Sequence, residues 1–150
     1  METTIEVRSQ AETEKLAGQL ASRLAGGEVI TLEGDLGAGK TTFTQALARG
    51  LGIRRTVNSP TFTILKQYEG RLPLNHLDVY RLENSEEDLG WSELFYGEAV
   101  SVIEWARYIE DELPKERLDI EIRRTDGDGR AFVFRPQGTY YETLVKEIGL

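Results

Sequence analysis

The stretch from Gly34 to Thr41, GDLGAGKT, constrains this chain more than any other, because it matches the pattern GxxxxGK[ST] in full and lies between an apolar run and a helical repeat. Val29-Ile30-Thr31-Leu32 ahead of it reads as a buried strand, and Phe43, Ala46, Leu47 and Leu51 behind it recur at helical spacing. A strand, a glycine loop and a helix in that order aim backbone N–H groups and the positive end of a helix dipole at one place, which makes an anion site. Gly34, Gly37 and Gly39 permit a close approach to phosphate oxygens that a Cβ would block. Lys40 is predicted to reach the terminal phosphates and the Thr41 hydroxyl to ligate Mg²⁺, so a nucleoside triphosphate is the expected ligand.

At 150 residues the chain is expected to form one domain over residues 1–150. Cysteine is absent, which excludes disulfides and thiolate metal sites. No apolar stretch approaches the roughly 18 residues of a membrane span. METTIEVRSQ lacks the basic and apolar regions of a signal peptide, so a soluble cytoplasmic protein is expected. The net charge of −8 opposes the phosphate-neutralising surface of a direct nucleic-acid binder, which makes any nucleic-acid role an indirect one. Arg49, Arg54 and Arg55 read either as a local basic patch or as a solvated helix end.

Along the chain, Ile5 and Val7 alternate with polar residues as a strand, and Ser9 with Glu12 has the capping-box spacing of a helix start. Leu16, Leu20 and Leu24 form that helix's apolar stripe, which Gly26-Gly27 ends, and the loop helix closes near Gly52. Thr61 to Tyr68 and Leu72 to Tyr80 read as a hairpin, so the sheet is expected to be mixed. Ser85 to Asp88 reads as a capped helix start leading to the segment from Trp91 to Phe95. Ala99 to Ile103, the most apolar run, reads as a central strand. A helix ended by Pro114 follows, then strands Leu118 to Arg123 and Ala131 to Phe134 around the turn Asp126-Gly127-Asp128-Gly129, and a last helix from Thr139 with Glu142 three residues on. The expected fold is α/β, a P-loop NTPase-like three-layer α/β/α arrangement with a mixed parallel and antiparallel central sheet.

A nucleotide hydrolase needs an acid at the end of a buried strand for Mg²⁺ or its water, and Glu104 and Asp78 compete for that place. Glu104 ends the run Val100-Ser101-Val102-Ile103 in a Walker-B-like pattern; Asp78 lies in HLDVYR on the strand face shared with His76 and Tyr80. Both face one magnesium ion, or Glu104 is a solvated strand end and Asp78 a partner of Arg81. Asn58-Ser59-Pro60-Thr61 is either a γ-phosphate-sensing switch or a plain loop turn. His76, the one histidine, is assigned no role as a base. Trp105 packs over the nucleotide pocket or fills the core.

With GDLGAGKTT, SPTF, HLDVYR and IEW in this order, the chain resembles the TsaE family, formerly YjeE, over nearly its full length. These are small bacterial ATPases needed to make threonylcarbamoyladenosine at position 37 of tRNAs that read ANN codons. The resemblance implies that Gly37, Ala38, Gly39, Lys40, Thr41 and Thr42 hold the phosphates of ATP and that Thr41 and Glu104 coordinate Mg²⁺. It implies that Asp78 supports hydrolysis beside Lys40, that Thr61 belongs to the switch-like SPT segment, and that Gln10 and Arg130 contact the nucleotide. It further implies TsaD and TsaB as partners, with ATP hydrolysis resetting their complex and tRNA reached only through it. One departure is Phe62, where family members often carry tyrosine.

Two rival functions use the same loop. A P-loop small-molecule kinase usually carries an arginine-rich lid, and no clustered lid arginines follow here. A nucleotide-binding regulatory switch that reads guanine is suggested by Asn75-His76-Leu77-Asp78, which has the NxxD outline but lacks the lysine and lies within a strand.

Overall fold

A computed structural model describes residues 2–35, 37–57, 65–80 and 91–148, with the backbone alone for 91 and 92. The chain runs β1 (Thr3–Val7), α1 (Gln10–Arg23), β2 (Val29–Glu33), α2 (Lys40–Gly50), β3 (Leu65–Tyr68), β4 (Leu74–Asp78), α3 (Trp91–Phe95), β5 (Val100–Glu104), a 3₁₀ segment (Ala106–Glu112), β6 (Arg117–Arg124), β7 (Arg130–Gln137) and α4 (Thr139–Lys146). The strands form one sheet in the order β1-β7-β6-β2-β5-β4-β3. Its interior pairs, β2 with β5, β2 with β6 and β4 with β5, are parallel. The outer pairs β1–β7, β6–β7 and β3–β4 are antiparallel, so the sheet is mixed as expected.

Apolar content decides which strands lie inside. Every residue of β5 is buried, and β2 is buried up to its last residue, because both have neighbours on two edges and cover on two faces. β6 alternates buried and open positions, so one of its faces meets the core and the other meets water. β2 holds the middle of the order and β5 the place beside it.

On one face α1, α2 and α4 close over Ile30, Leu32, Val102, Leu118, Ile120, Phe132 and Phe134. Ser9 accepts from Glu12 N at 3.2 Å, and Glu12 Oε1 accepts in return from Arg8 N at 3.2 Å, one residue before the usual capping-box partner. Leu16, Leu20 and Leu24 are buried as the stripe requires. On the other face α3 and the 3₁₀ segment cover Val29, Leu77, Val79 and Ile103, over the β2-β5-β4 half alone. Beyond that half, β6 and β7 display the ion-paired side chains Arg117, Asp119, Glu121, Arg123 and Arg135.

Two expectations change, and two lie outside the described residues. α1 ends at Arg23, with Leu24 already extended, so Gly26-Gly27 shapes the turn after the helix and does not stop it. The helix before Pro114 is a 3₁₀ segment interrupted at Ile109, whose φ of −129° is not helical. β3 begins at Leu65 among the described residues; 61–64 and Ser85 to Asp88, part of the expected hairpin and a helix start, lie outside them. α4 begins at Thr139 behind Gly138.

Candidate functional site

β2 delivers the chain to Gly34, where a Cβ would stand 2.8 Å from the carbonyl of Ile122, so the loop leaves the sheet pressed against β6. Ala38 N donates to Asp35 O at 2.9 Å, and Phe43 N to Gly39 O at 2.9 Å, closing the loop and opening α2. Gly37 and Gly39 have φ of 80° and 111°, the left-handed region that a side chain resists. No side chain caps α2 and no acid lies in its first turn, so Lys40, Thr41 and Thr42 begin a helix whose positive end is left to another partner.

Arg130, the first residue of β7, crosses to this loop. Its Nε donates to Ala38 O at 2.7 Å and its Nη2 to Gly37 O at 3.3 Å, while Nη1 donates to Gly129 O at 2.7 Å within its own turn. Since a trans peptide sets N–H opposite C=O, the bond at Ala38 O turns the Gly39 N–H to the side away from Arg130. Arg124 comes near as well, its Nη1 4.0 Å from where a Cβ on Gly37 would be.

The acids arrive from the parallel pair β4–β5, in which Asp78 stands in register with Glu104. Alternation puts Leu74, His76 and Asp78 on the face that Val102 and Glu104 share, towards α2. Glu104 is 5% exposed; its Oε2 lies 2.8 Å from His76 Nε2 and its Oε1 3.8 Å from Lys40 Nζ. Asp78 Oδ1 accepts from Tyr80 N at 3.1 Å.

Trp105 follows with φ 63° and ψ 33°, the one non-glycine residue at positive φ among those described. Such a conformation costs about 1–2 kcal/mol and persists only where neighbours impose it. Here Tyr108 stacks on the indole at 5.9 Å, Tyr80 tilts against it at 4.9 Å, and the Arg107 guanidinium lies 4.8 Å from its centre. Lys40 Nζ stands 5.0 Å from the same ring. Trp105 therefore stands beside the loop lysine and packs, half-buried, on the edge of the second apolar cluster. On the opposite sheet face, burial pushes the Glu33 carboxyl up, against the opposing charges of Arg107 and Lys40.

Of the expected site residues, Gly37, Ala38, Gly39, Lys40, Thr41 and Thr42 form the loop and first helical turn, Lys40 meets Glu104, and Arg130 meets the loop. Gln10 lies at the start of α1, its side chain directed to Glu14 Oε1 at 3.5 Å; Val7, which ends β1, pairs with Arg130 and so puts Gln10 on the same rim. Thr61 lies outside the described residues. Arg49 pairs with Glu14 at 3.1 Å and Arg55 stacks over Tyr68 at 5.5 Å, which favours a helix end over a free basic patch. Sequence reasoning put His76 on the face of Asp78 but gave it no partner, and did not single out Arg124. The alternation His76-Leu77-Asp78 held the signal for the first, but only the β4–β5 register brings its ring to Glu104.

Among the described residues no three His, Cys, Asp or Glu side chains group to hold a metal. A carboxylate and a hydroxyl beside an anion site fit Mg²⁺, which takes one or two protein oxygens and completes its shell with phosphate and water. No helix among the described residues is long and apolar enough to cross a membrane.

Comparison with known proteins agrees with this geometry. The family described as threonylcarbamoyl adenosine biosynthesis protein TsaE matches residues 7–132. A Bacillus subtilis protein named tRNA threonylcarbamoyladenosine biosynthesis protein TsaE is 54% identical over 91% of this chain and 87% of its own length. A Treponema pallidum protein of the same name is 45% identical over 77% of this chain and 87% of its own. The crystal structure of Bacillus subtilis YdiB superposes with a TM-score of 0.86 at 45% identity, covering 98% of this chain and 93% of that one. With the loop, the acid pair and the sheet order all in place over this span, the chain belongs to the TsaE family.

Proposed function

We propose that this chain is a Mg²⁺-dependent ATP-binding protein with weak ATPase activity, which acts with TsaD and TsaB in the threonylcarbamoyladenosine modification at position 37 of tRNAs reading ANN codons. The observation that carries the reading is the Lys40 ammonium, set at the start of an uncapped helix with Glu104 3.8 Å away on a buried strand end. Lys40 and the amides from Gly37 to Thr42 cradle the β- and γ-phosphates. Thr41 and Glu104 hold Mg²⁺ or its water, and the bound ion supplies charge neutralisation on the transferring phosphoryl group. Asp78, one strand over and in register with Glu104, orients the attacking water, and Thr61 senses the γ-phosphate. Gln10 and Arg130 line the nucleotide's other side.

An acidic chain serves tRNA modification by binding other proteins, which is why TsaD and TsaB, and not the tRNA, are its direct partners in this reading. The test is ATP turnover by the purified chain, alone and with TsaD and TsaB, run beside tRNA threonylcarbamoylation. Stimulation by the partners is expected, and Lys40→Ala is expected to abolish both turnover and modification. Phosphate appearing on an added small molecule, with no effect of the partners, would move the assignment to a kinase.

A further inference from the structure

His76 is 1% exposed and Glu104 5%, and their 2.8 Å contact is the shortest that the Glu104 carboxylate makes among the described residues. The ring's other nitrogen, Nδ1, is buried without a hydrogen-bond partner among the described residues. Nε2 faces a carboxylate oxygen, which can only accept, so this nitrogen is the donor of the contact. A histidine kept in a strand interior with one nitrogen unsatisfied contributes through the other.

Position decides what that contribution is. In the parallel register His76 pairs with Val102, one repeat behind the Asp78–Glu104 pair and farther from the strand ends. The ring therefore reaches Glu104 from the interior and binds Oε2, while Oε1 is left on the loop side, 3.8 Å from Lys40 Nζ. We infer that His76 is a positioning residue: it holds Glu104 by one oxygen and presents the other to a divalent cation in the nucleotide site. Lys40 occupies that second oxygen until phosphates draw its ammonium away. The inference rests on the phosphate-site reading of Lys40 to Thr42 given above.

The experiment compares dissociation constants for ADP measured with Mg²⁺ and with EDTA, and reads their ratio. In the parent, Mg²⁺ tightens binding. His76→Ala is expected to lower the ratio about tenfold, the usual scale for losing a group that orients a metal ligand, and to leave the EDTA constant within about twofold of the parent. His76→Gln places an amide nitrogen near the position of Nε2 and is expected to keep the ratio; His76→Asn, which reaches only to the position of Nδ1, is expected to lose it. In a Glu104→Ala background none of these changes has a further effect. Should His76→Ala fail to fold, the Gln and Asn variants carry the comparison. An unchanged ratio in His76→Ala or in His76→Asn, or EDTA and Mg²⁺ constants that weaken together, overturns the inference. A parent whose binding ignores Mg²⁺ overturns the cation reading itself, before His76 is altered.

Discussion

The guanidinium of Arg130 takes up the carbonyls of Gly37 and Ala38, two negative dipole ends at the tip of the glycine loop. A charged donor on these oxygens fixes the loop in the form that turns the Gly39 N–H away from Arg130, so the arginine acts through backbone. Arg130→Ala is expected to weaken ADP binding about tenfold, the scale of one charged hydrogen bond, by the same factor with Mg²⁺ and with EDTA. Arg130→Lys is not expected to restore it, since an ammonium offers its donors from one atom and lacks the planar fork whose separate nitrogens span the two carbonyls. Calorimetric titration of the three proteins decides the matter, and a loss seen only with Mg²⁺ would place Arg130 on the cation side instead. The sequence showed Arg130 only as the end of a glycine turn; its reach to Ala38 across 92 residues has no local signature.

Among the elements, α1 and α2 fit closely enough for a single substitution to probe the crossing. Gly50 closes α2 where a Cβ would lie 2.4 Å from the Ala21 Cβ of α1. Gly50→Ala gains helix propensity but overpacks this crossing, and is expected to destabilise the fold by about 1–3 kcal/mol net. Ala21→Gly in the same chain should recover part of that loss, and melting temperatures of the two single variants and the double variant give the coupling. If Gly50→Ala melts with the parent, the helices have room to part.

Elements were legible where their signals are local. The Ser9–Glu12 cap, the leucine stripe, the DGDG turn and the strand Val100–Glu104 each lie within one window of sequence. The 3₁₀ form of Ala106–Glu112 was not, because its apolar spacing also suits an α-helix and the break at Ile109 is imposed from outside by the cluster beneath it. Nor was the pairing of β4 with β5, which assembles the acids: two buried strands attract by apolar area, and nothing within either one specifies its neighbour.

For the molecule as a whole, helices cover one sheet face only in part, and the open half carries the ion-paired side chains Arg117, Asp119, Glu121, Arg123 and Arg135. On the open half, Glu121 is held below its ordinary range chiefly by the hydrogen bond from Arg123, with Arg135 adding and burial opposing. A carboxyl depressed in the folded state stabilises the fold above its unfolded value of 4.5, and this is lost as pH falls through the folded value. Glu33 is raised and carries the opposite sign: its contribution belongs to low pH and fades as pH rises. Replacing Glu121 isolates one from the other. Glu121→Gln is expected to flatten the loss of thermal stability between about pH 5 and pH 3, and to cost less than about 1 kcal/mol at neutral pH, as befits a partly open ion pair. Parallel melting curves across that range would show that acid acts elsewhere.

The place of β2 in the sheet also governs when the molecule is complete. The strand and loop are made early, yet β2 pairs on both edges with strands encoded much later, β5 and β6, and the loop's carbonyls wait for Arg130 on β7. A ribosome adding about 5–20 residues per second needs several seconds to pass from the loop to that arginine. During those seconds the emerging chain carries the glycine loop without the guanidinium that holds its carbonyls, and the loop gains that partner only once the last hairpin has emerged.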